Sequence, residues 1–328
     1  MRILVIRLGA MGDVIHTLPA AASLKHSFPG CRLAWVIEPK WRILLDANPF
    51  IDEIIEFDRR SLSSILRARG VLRAAKFDLA IDFQGLIKSA FVASSAHPDR
   101  LYGYCRAQAR EKLASWFYSN PVEARAAHVV ERHLELAAAA GARTLLREFP
   151  LPQGRLEEPL PEGRFILSSP LAGWESKQWP IEHYAQLAGR LYRELGIPLV
   201  VNGAPAAVDT LCKAAPAQVH VSSMAGLIDA TRRAVAVVGV DSGPLHLAAA
   251  LGKPGVALFG PTDPARNGPY GGSLRVIRGP GAVTTYKRRI GIDPSLRAIS
   301  PDEVFDALKT ELDAHTARKF QQGSLPAR

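Results

Sequence analysis

Asp241, Ser242, Gly243, Pro244 and His246 stand where an apolar run ends and a short helix begins. Residue types of this kind at a helix start suit the holding of a diphosphate. The first N–H groups of a helix have no intrahelical partner, and its dipole favours an anion there. Ser242 suits the N-cap, Pro244 suits the first turn, and His246 lies one turn beyond Ser242, so the two can face the same way. Asp-Ser-Gly-Pro is also an ordinary turn, and Lys177 taken alone is an ordinary surface lysine. Taken together they supply an anion cradle and a cation. An ammonium group on a flexible stem meets a diphosphate as a point charge. Gly260-Pro261-Thr262-Asp263, after the following strand, is placed to close the same pocket. The expected ligand is a nucleotide diphosphate.

A second glycine turn lies at the other end of the chain. The apolar run 3–6 leads into Arg7-Leu8-Gly9-Ala10-Met11-Gly12-Asp13, which lacks the G-x-G-x-x-G of dinucleotide binders. Asp13 falls in the first turn of the next helix, where a carboxylate is favourable for structural reasons alone. It is also a candidate general base, since moving a sugar to a hydroxyl needs that hydroxyl deprotonated as the bond forms. One carboxylate is enough for transfer with inversion, whereas a glycosidase needs two flanking the bond. Asp82, before Gln84-Gly85, is the candidate for a second. No D-x-D occurs in the chain, which speaks against a metal-bridged sugar-nucleotide mechanism. Lys177 and helix dipoles would then stabilise the leaving diphosphate.

Strands and helices must hold these residues at strand ends. Buried-type apolar runs at 3–6, 32–37, 53–57, 77–83 and 100–104 alternate with helical spacing at 14–26, 61–76, 86–96 and 129–140. Trp116-Phe117-Tyr118 reads as core. Residues 147–163 hold Pro150, Pro152, Pro159 and Pro161 and no periodicity, which marks a linker. Beyond it the alternation restarts, with strands at 165–168, 197–202, 234–240 and 255–259, a helix from Pro180 to about residue 195, and a last helix at about 301–314 before a basic, frayed tail from Arg318. The expected fold is α/β: two Rossmann-like doubly wound domains, 1–155 and 156–328, facing a cleft lined by the glycine turns of both.

The chain's 328 residues suffice for two domains, and 48% hydrophobic with 22% charged residues is the balance of a globular protein. No apolar run is long enough to span a membrane, and the N-terminal run is too short for a signal peptide. The three cysteines are widely spaced, without disulfide or C-x-x-C pattern, which suits the cytoplasm. The net charge of +10 favours an acidic partner. The basic residues fall in small groups with no nucleic-acid module beside them, so no nucleic-acid partner is expected. No protein partner is indicated.

Several fragments, in order, resemble the bacterial lipopolysaccharide heptosyltransferases, which have the GT-B fold. They are M-G-D-V-I-H-T-L-P-A at 11–20, D-x-Q-G-L-x-K-S at 82–89, H-x-V-E-R at 128–132, K-x-W-P at 177–180, D-S-G-P-L-H-L-A-A-A at 241–250 and G-P-T-D-P at 260–264. The resemblance implies transfer of L-glycero-D-manno-heptose from ADP-heptose to the lipopolysaccharide inner core. It implies Asp13 as the catalytic base, and donor contacts at Ala172, Gly173, Lys177, Asp241, Ser242, Gly243 and His246. The basic residues that hold an acidic Kdo acceptor would be Arg60 and Arg110, with Arg7 where a lysine is common. It implies no metal or other cofactor, and a place on the cytoplasmic face of the inner membrane without a span.

Ala206 and Ala207 stand where the family often has an acidic residue near the ribose, with Asp209 the nearest acid. Arg59-Arg60 and the segment R-E-K-L-A-S-W-F-Y at 110–118 resemble the first heptosyltransferase, which acts on Kdo-lipid A, more than the second. The alternatives are the second heptosyltransferase or a related nucleotide-sugar transferase, and a non-catalytic nucleotide-binding protein. A nicotinamide dehydrogenase is disfavoured by the missing G-x-G-x-x-G.

Overall fold

The computed structural model describes residues 1–323, with side chains described to Arg318. The chain divides into two compact units, Met1–Pro152 and Gln153–Arg328. The first contains β1 (Arg2–Ile6), α1 (Met11–Ser27), β2 (Arg32–Ile37), β3 (Glu53–Glu56), α2 (Leu62–Ala74), β4 (Leu79–Asp82), α3 (Ile87–Ser95), β5 (Arg100–Tyr104), β6 (Asn120–Val122) and α4 (Val129–Ala139). The second contains β7 (Ile166–Ser169), α5 (Ile181–Leu195), β8 (Leu199–Gly203), α6 (Val208–Leu211), β9 (Gln218–Val221), α7 (Met224–Arg233), β10 (Ala236–Val240), α8 (Gly243–Ala250), β11 (Gly255–Phe259), α9 (Pro264–Asn267), β12 (Leu274–Arg278), α10 (Pro294–Arg297) and α11 (Pro301–Gly323).

Each unit is built on a 6-stranded sheet whose described strand pairs are all parallel. The orders are β3-β2-β1-β4-β5-β6 and β12-β11-β10-β7-β8-β9. In both, the first strand of the unit lies inside the sheet, and the chain winds first to one side of it and then to the other. The order therefore reverses between β1 and β4 in one unit and between β7 and β10 in the other. Ligands of open α/β sheets bind outside the carboxyl ends of strands at such a reversal.

The strands form where β-branched and other apolar residues run without a break. Ile3, Leu4, Val5 and Ile6 of β1 and the whole of β10 are buried on both faces by helices. Each unit has its own core. Leu4, Ile6, Val36 and Phe77 belong to one; Ile166, Leu199, Val238, Leu258 and Phe305 belong to the other. Ser61 and Ser223 cap α2 and α7 through their hydroxyls, and Gly196 closes α5 in the left-handed region at φ 64°.

Gly255 opens β11 at φ 149°, and a Cβ there would fall on the Val237 carbonyl of β10. Only glycine lets these two strands approach, and β10 is the strand that ends at Asp241. Gly255→Ala is expected to cost about 3 kcal/mol, lowering the melting temperature by roughly 6–12 °C. A calorimetric scan within about 2 °C of wild type would count against this close approach.

Some elements differ from expectation. Of the aromatic cluster only Tyr118 is core; Trp116 is 70% exposed and Phe117 36%, because the 3-10 helix Lys112–Phe117 turns both rings outward. The last helix runs to Gly323 rather than ending near residue 314: no glycine or proline interrupts 302–322, Leu312 is buried, and the Thr316 hydroxyl bonds back to the Leu312 carbonyl. The part of the basic tail beyond Gly323 lies outside the described residues. The short strands β6 and β12 carry polar residues and had no apolar run to announce them.

Candidate active site

In the first unit, the loop after β1 and the loop after β4 meet at the sheet reversal. The Leu8 amide donates to the Gln84 side-chain oxygen at 2.8 Å, and the Trp35 indole donates to the Arg7 carbonyl at 3.1 Å. The turn itself passes so close to Trp41 that a Cβ on Gly9 would lie 2.6 Å from the indole nitrogen. These contacts place Asp13 in the first turn of α1, with its side chain 31% exposed.

Arg7 is buried, and its guanidinium bridges the Phe83 carbonyl and Asp13, reaching Oδ1 at 2.7 Å. Among the described residues Asp13 Oδ2 has only longer contacts, to the Ala10 amide at 3.3 Å and to the exposed Arg110 guanidinium at 3.7 Å. One carboxylate oxygen is thus anchored and the other is open to a proton. Arg7, expected among residues that hold an acceptor, directs both terminal guanidinium nitrogens to the protein, while its buried Nε has no partner among the described residues. Arg110, expected to hold the same acceptor, has its guanidinium 3.7 Å from Asp13. Arg60 is exposed, and no ion pair of its side chain joins it to Asp13 among the described residues.

Asp82 is not a second catalytic carboxylate. It is fully buried, accepting from the Gln84 and Gly85 amides and the Ser89 and Tyr118 hydroxyls. Burial pushes its carboxyl above the usual range, and those donors pull it back only in part. Its work is to shape the turn after β4. Asp82→Ala is expected to cost about 3 kcal/mol by stranding these donors. A group with a raised native pKa contributes stability that is complete below its unfolded value, near 3.9, and is lost as pH rises through the native value. Asp82→Asn mimics the neutral acid, so its stability should gain on wild type from pH 4 to pH 8 in urea titrations; a parallel pair of curves would contradict a raised pKa.

In the second unit, Asp241 follows β10 and is 7% exposed. Lys177, from the 3-10 turn Glu175–Lys177 after β7, reaches its Oδ2 at 2.6 Å. The Thr262 hydroxyl donates to the same oxygen at 2.7 Å, and His246 Nε2 lies 3.5 Å from Oδ1. Burial would raise the Asp241 carboxyl, but the His246 hydrogen bond and the Lys177 charge outweigh it and hold it far below the usual range. Asp241 therefore stays ionised and fixes Lys177, His246 and Thr262 around one point. Lys177 also lies 4.6 Å from the centre of the Trp174 ring.

Ser242 occupies the N-cap of α8 but makes no side-chain cap bond. Its buried hydroxyl has no partner among the described residues. A free hydroxyl beside unpaired helix N–H groups suits an anion's oxygens. Ala172 lies in the loop after β7, with its carbonyl accepting from the Gln178 side chain at 3.1 Å. Gly173 beside it has open space where a Cβ would be. Of the donor residues expected from sequence, the structure joins Lys177, Asp241 and His246 directly, with Ser242 and Gly243 following at the start of α8.

Sequence reasoning placed Thr262 only in a turn closing the pocket and missed that it holds Asp241. Its position after β11, the neighbour of β10, was the available signal. It also missed Gln84 as the link to the β1 loop. In H-x-V-E-R, His128 caps α4 through Nδ1, and Arg132 lies 5.4 Å from the Tyr104 ring centre; both are structural roles. No group of His, Cys, Asp and Glu able to hold a metal occurs among the described residues.

Two doubly wound parallel-sheet units, each with a polar cluster where its strand order reverses, make up the GT-B architecture of nucleotide-sugar glycosyltransferases. The chain belongs to glycosyltransferase family 9 (heptosyltransferase), whose profile matches residues 65–289. It is a glycosyltransferase. It is similar to lipopolysaccharide heptosyltransferase 1 of Escherichia coli, with 32% identity over 302 residues, 86% of this chain and 92% of the relative. Among solved structures, the E. coli heptosyltransferase WaaC with ADP has a TM-score of 0.77 and 29% identity, covering 95% of this chain and 100% of that one. The same E. coli enzyme with ADP-2-deoxy-2-fluoro heptose has a TM-score of 0.75 and 28% identity, covering 96% of this chain and 100% of that one.

Proposed function

We propose that the chain transfers L-glycero-D-manno-heptose from ADP-heptose to a Kdo residue of lipid A-Kdo, with inversion and without a metal. The observation that carries this reading is the Lys177–Asp241–His246 cluster beside the free Ser242 hydroxyl, in a member of a heptosyltransferase family. The ADP and ADP-sugar complexes of the similar E. coli enzyme support an ADP-linked donor.

In this reading the second unit holds the donor. Lys177 and the N-terminus of α8 meet the diphosphate, and Ser242, Gly243, Ala172 and Gly173 border it. Asp13 of the first unit serves as the base, with Arg110 and Arg60 toward the acidic acceptor. The acceptor hydroxyl attacks the anomeric carbon on the face opposite the diphosphate. The new C–O bond forms as its proton passes to the Asp13 carboxylate. The bond from the anomeric carbon to the diphosphate oxygen breaks, and ADP leaves with the electron pair. Positive charge fixed beside that leaving oxygen is stronger in the transition state than before it. The acceptor is an anionic lipid, so the enzyme works on the cytoplasmic face of the inner membrane. Among the described residues no helix is long and apolar enough to cross it.

The test is product formation from ADP-heptose and Kdo-lipid A, with and without EDTA. Equal turnover in both is expected. Loss of turnover in EDTA, restored by a divalent ion, would replace the metal-free mechanism. Binding of ADP-heptose without transfer would redirect the acceptor to the heptosylated core used by second transferases.

A further inference from the structure

We infer that the first unit docks on an anionic phospholipid bilayer through one surface, built by the entry to α2, by α3 and by the 112–117 turn. This deepens the membrane association proposed above by naming the face that would carry it. Ile87 and Phe91, one turn apart on α3, are 40% and 63% exposed, and Leu62 and Leu66 of α2 are 79% and 66% exposed. The 112–117 turn packs on α3 and presents Trp116 and Phe117 to solvent. These elements share one surface. Arg59, which leads into α2, borders a groove of about 590 Å³ with Ile87, Lys88, Phe91, Glu111 and Phe117, where the Glu111 carboxylate accepts from the Ile87 amide at 2.7 Å.

Large apolar side chains seldom cluster on an exposed face without a partner. The charge around them says which partner. From Arg59 to Lys76 the chain has arginines and a lysine but no acidic residue. The nearby arginines that do pair with acids are Arg42 and Arg110. Arg59, Arg67, Arg69, Arg73 and Lys88 have no acidic partner among the described residues. Arg106 lies 6.0 Å from the Trp116 ring centre, a cation held beside an exposed indole. Aromatic and leucine side chains that enter the boundary between headgroups and acyl chains, flanked by cations that meet lipid phosphates, are the makings of an interfacial anchor. A twofold partner copy is disfavoured, because it would set two arginine-rich faces against each other.

Flotation of the full chain with vesicles tests this, using phosphatidylcholine alone and phosphatidylcholine with about 30% phosphatidylglycerol at physiological salt. Wild type is expected to partition onto the anionic vesicles about tenfold more strongly than onto neutral ones. Phe91→Ser with Trp116→Ser, and separately Arg59→Glu with Lys88→Glu, should each weaken that partitioning about tenfold, with melting temperature and ADP binding as in wild type. Equal flotation of wild type and both variants would overturn this surface and leave membrane association in place. No flotation of wild type would overturn both. A concentration-dependent dimer lost in the same variants would assign the face to a second copy instead. Transfer to a detergent-dispersed acceptor, run in parallel, reads the catalytic proposal separately. The variants should keep it, and its absence in wild type would count against the transfer reaction alone.

Discussion

Asp13→Asn is expected to lower kcat for heptose transfer by about a thousandfold while leaving the affinity for ADP-heptose unchanged. The substitution is nearly isosteric. An asparagine side-chain oxygen can still accept from Arg7, whose guanidinium is fixed on the Phe83 carbonyl, so the loop after β1 should keep its shape. What the variant loses is the ability of the second oxygen to take a proton. In the wild-type chain that oxygen has, among the described residues, only the long contacts to the Ala10 amide and Arg110. Without a proton acceptor, the attacking hydroxyl must form its bond while still protonated, and general-base assistance of this kind is worth about 10²–10⁴ in rate. The measurement is single-turnover transfer, with ADP-heptose binding by calorimetry alongside. A rate within about threefold of wild type would remove Asp13 from the base role.

Lys177→Met is expected to do two separable things. It should reduce kcat/KM by about a hundredfold, because the charge proposed to face the leaving diphosphate is gone. It should also destabilise the second unit by about 3 kcal/mol, because Asp241 is left ionised and buried without its lysine. The sign of the pH effect follows from the depressed pKa of Asp241. A carboxylate with a lowered native pKa contributes stability that is complete above its unfolded value, near 3.9, and is lost as pH falls through the native value. Removing Lys177 raises that native value, so the variant should begin to lose stability at higher pH than wild type. Lys177→Met with Asp241→Asn removes the stranded charge and should recover much of the stability with none of the activity. If the double variant were no more stable than Lys177→Met, the pair would not be coupled through Asp241. If Lys177→Met kept wild-type kcat/KM, the lysine would be structural only.

The alternation of strands and helices was legible because most strands are continuous apolar runs bounded by glycine or proline. The run 234–240 followed by Asp-Ser-Gly-Pro is the clearest case, and the structure places β10 and α8 there. The clustering of Lys177 with Asp241 was only partly legible, since it depends on β7 and β10 being neighbours in the sheet, a fact of strand order. The role of Asp82 was hidden for the same kind of reason. Tyr118, which closes its shell of donors, comes from a turn beyond the next strand. The charge of Arg7 is visible in a sequence, whereas its burial and its hold on Phe83 and Asp13 are not. Trp116 looked like core because hydrophobicity alone does not say which way a 3-10 turn faces.

The parallel winding of the two sheets sets an order in time as well as in space. Every strand pairing of the first sheet joins residues within 2–122, and α4, whose Val130, Leu134 and Leu136 are buried, packs onto the unit from beyond them. A nascent chain can therefore close its first sheet on the ribosome while most of the second is still being translated. The interior position of β1 gives that process its shape. The earliest strand to emerge accepts β2 along one edge and then waits, with its other edge open, until β4 is made. In the second unit β7 waits in the same way for β10, so the strand that brings Asp241 to Lys177 also closes an edge left unpaired while β8 and β9 are made.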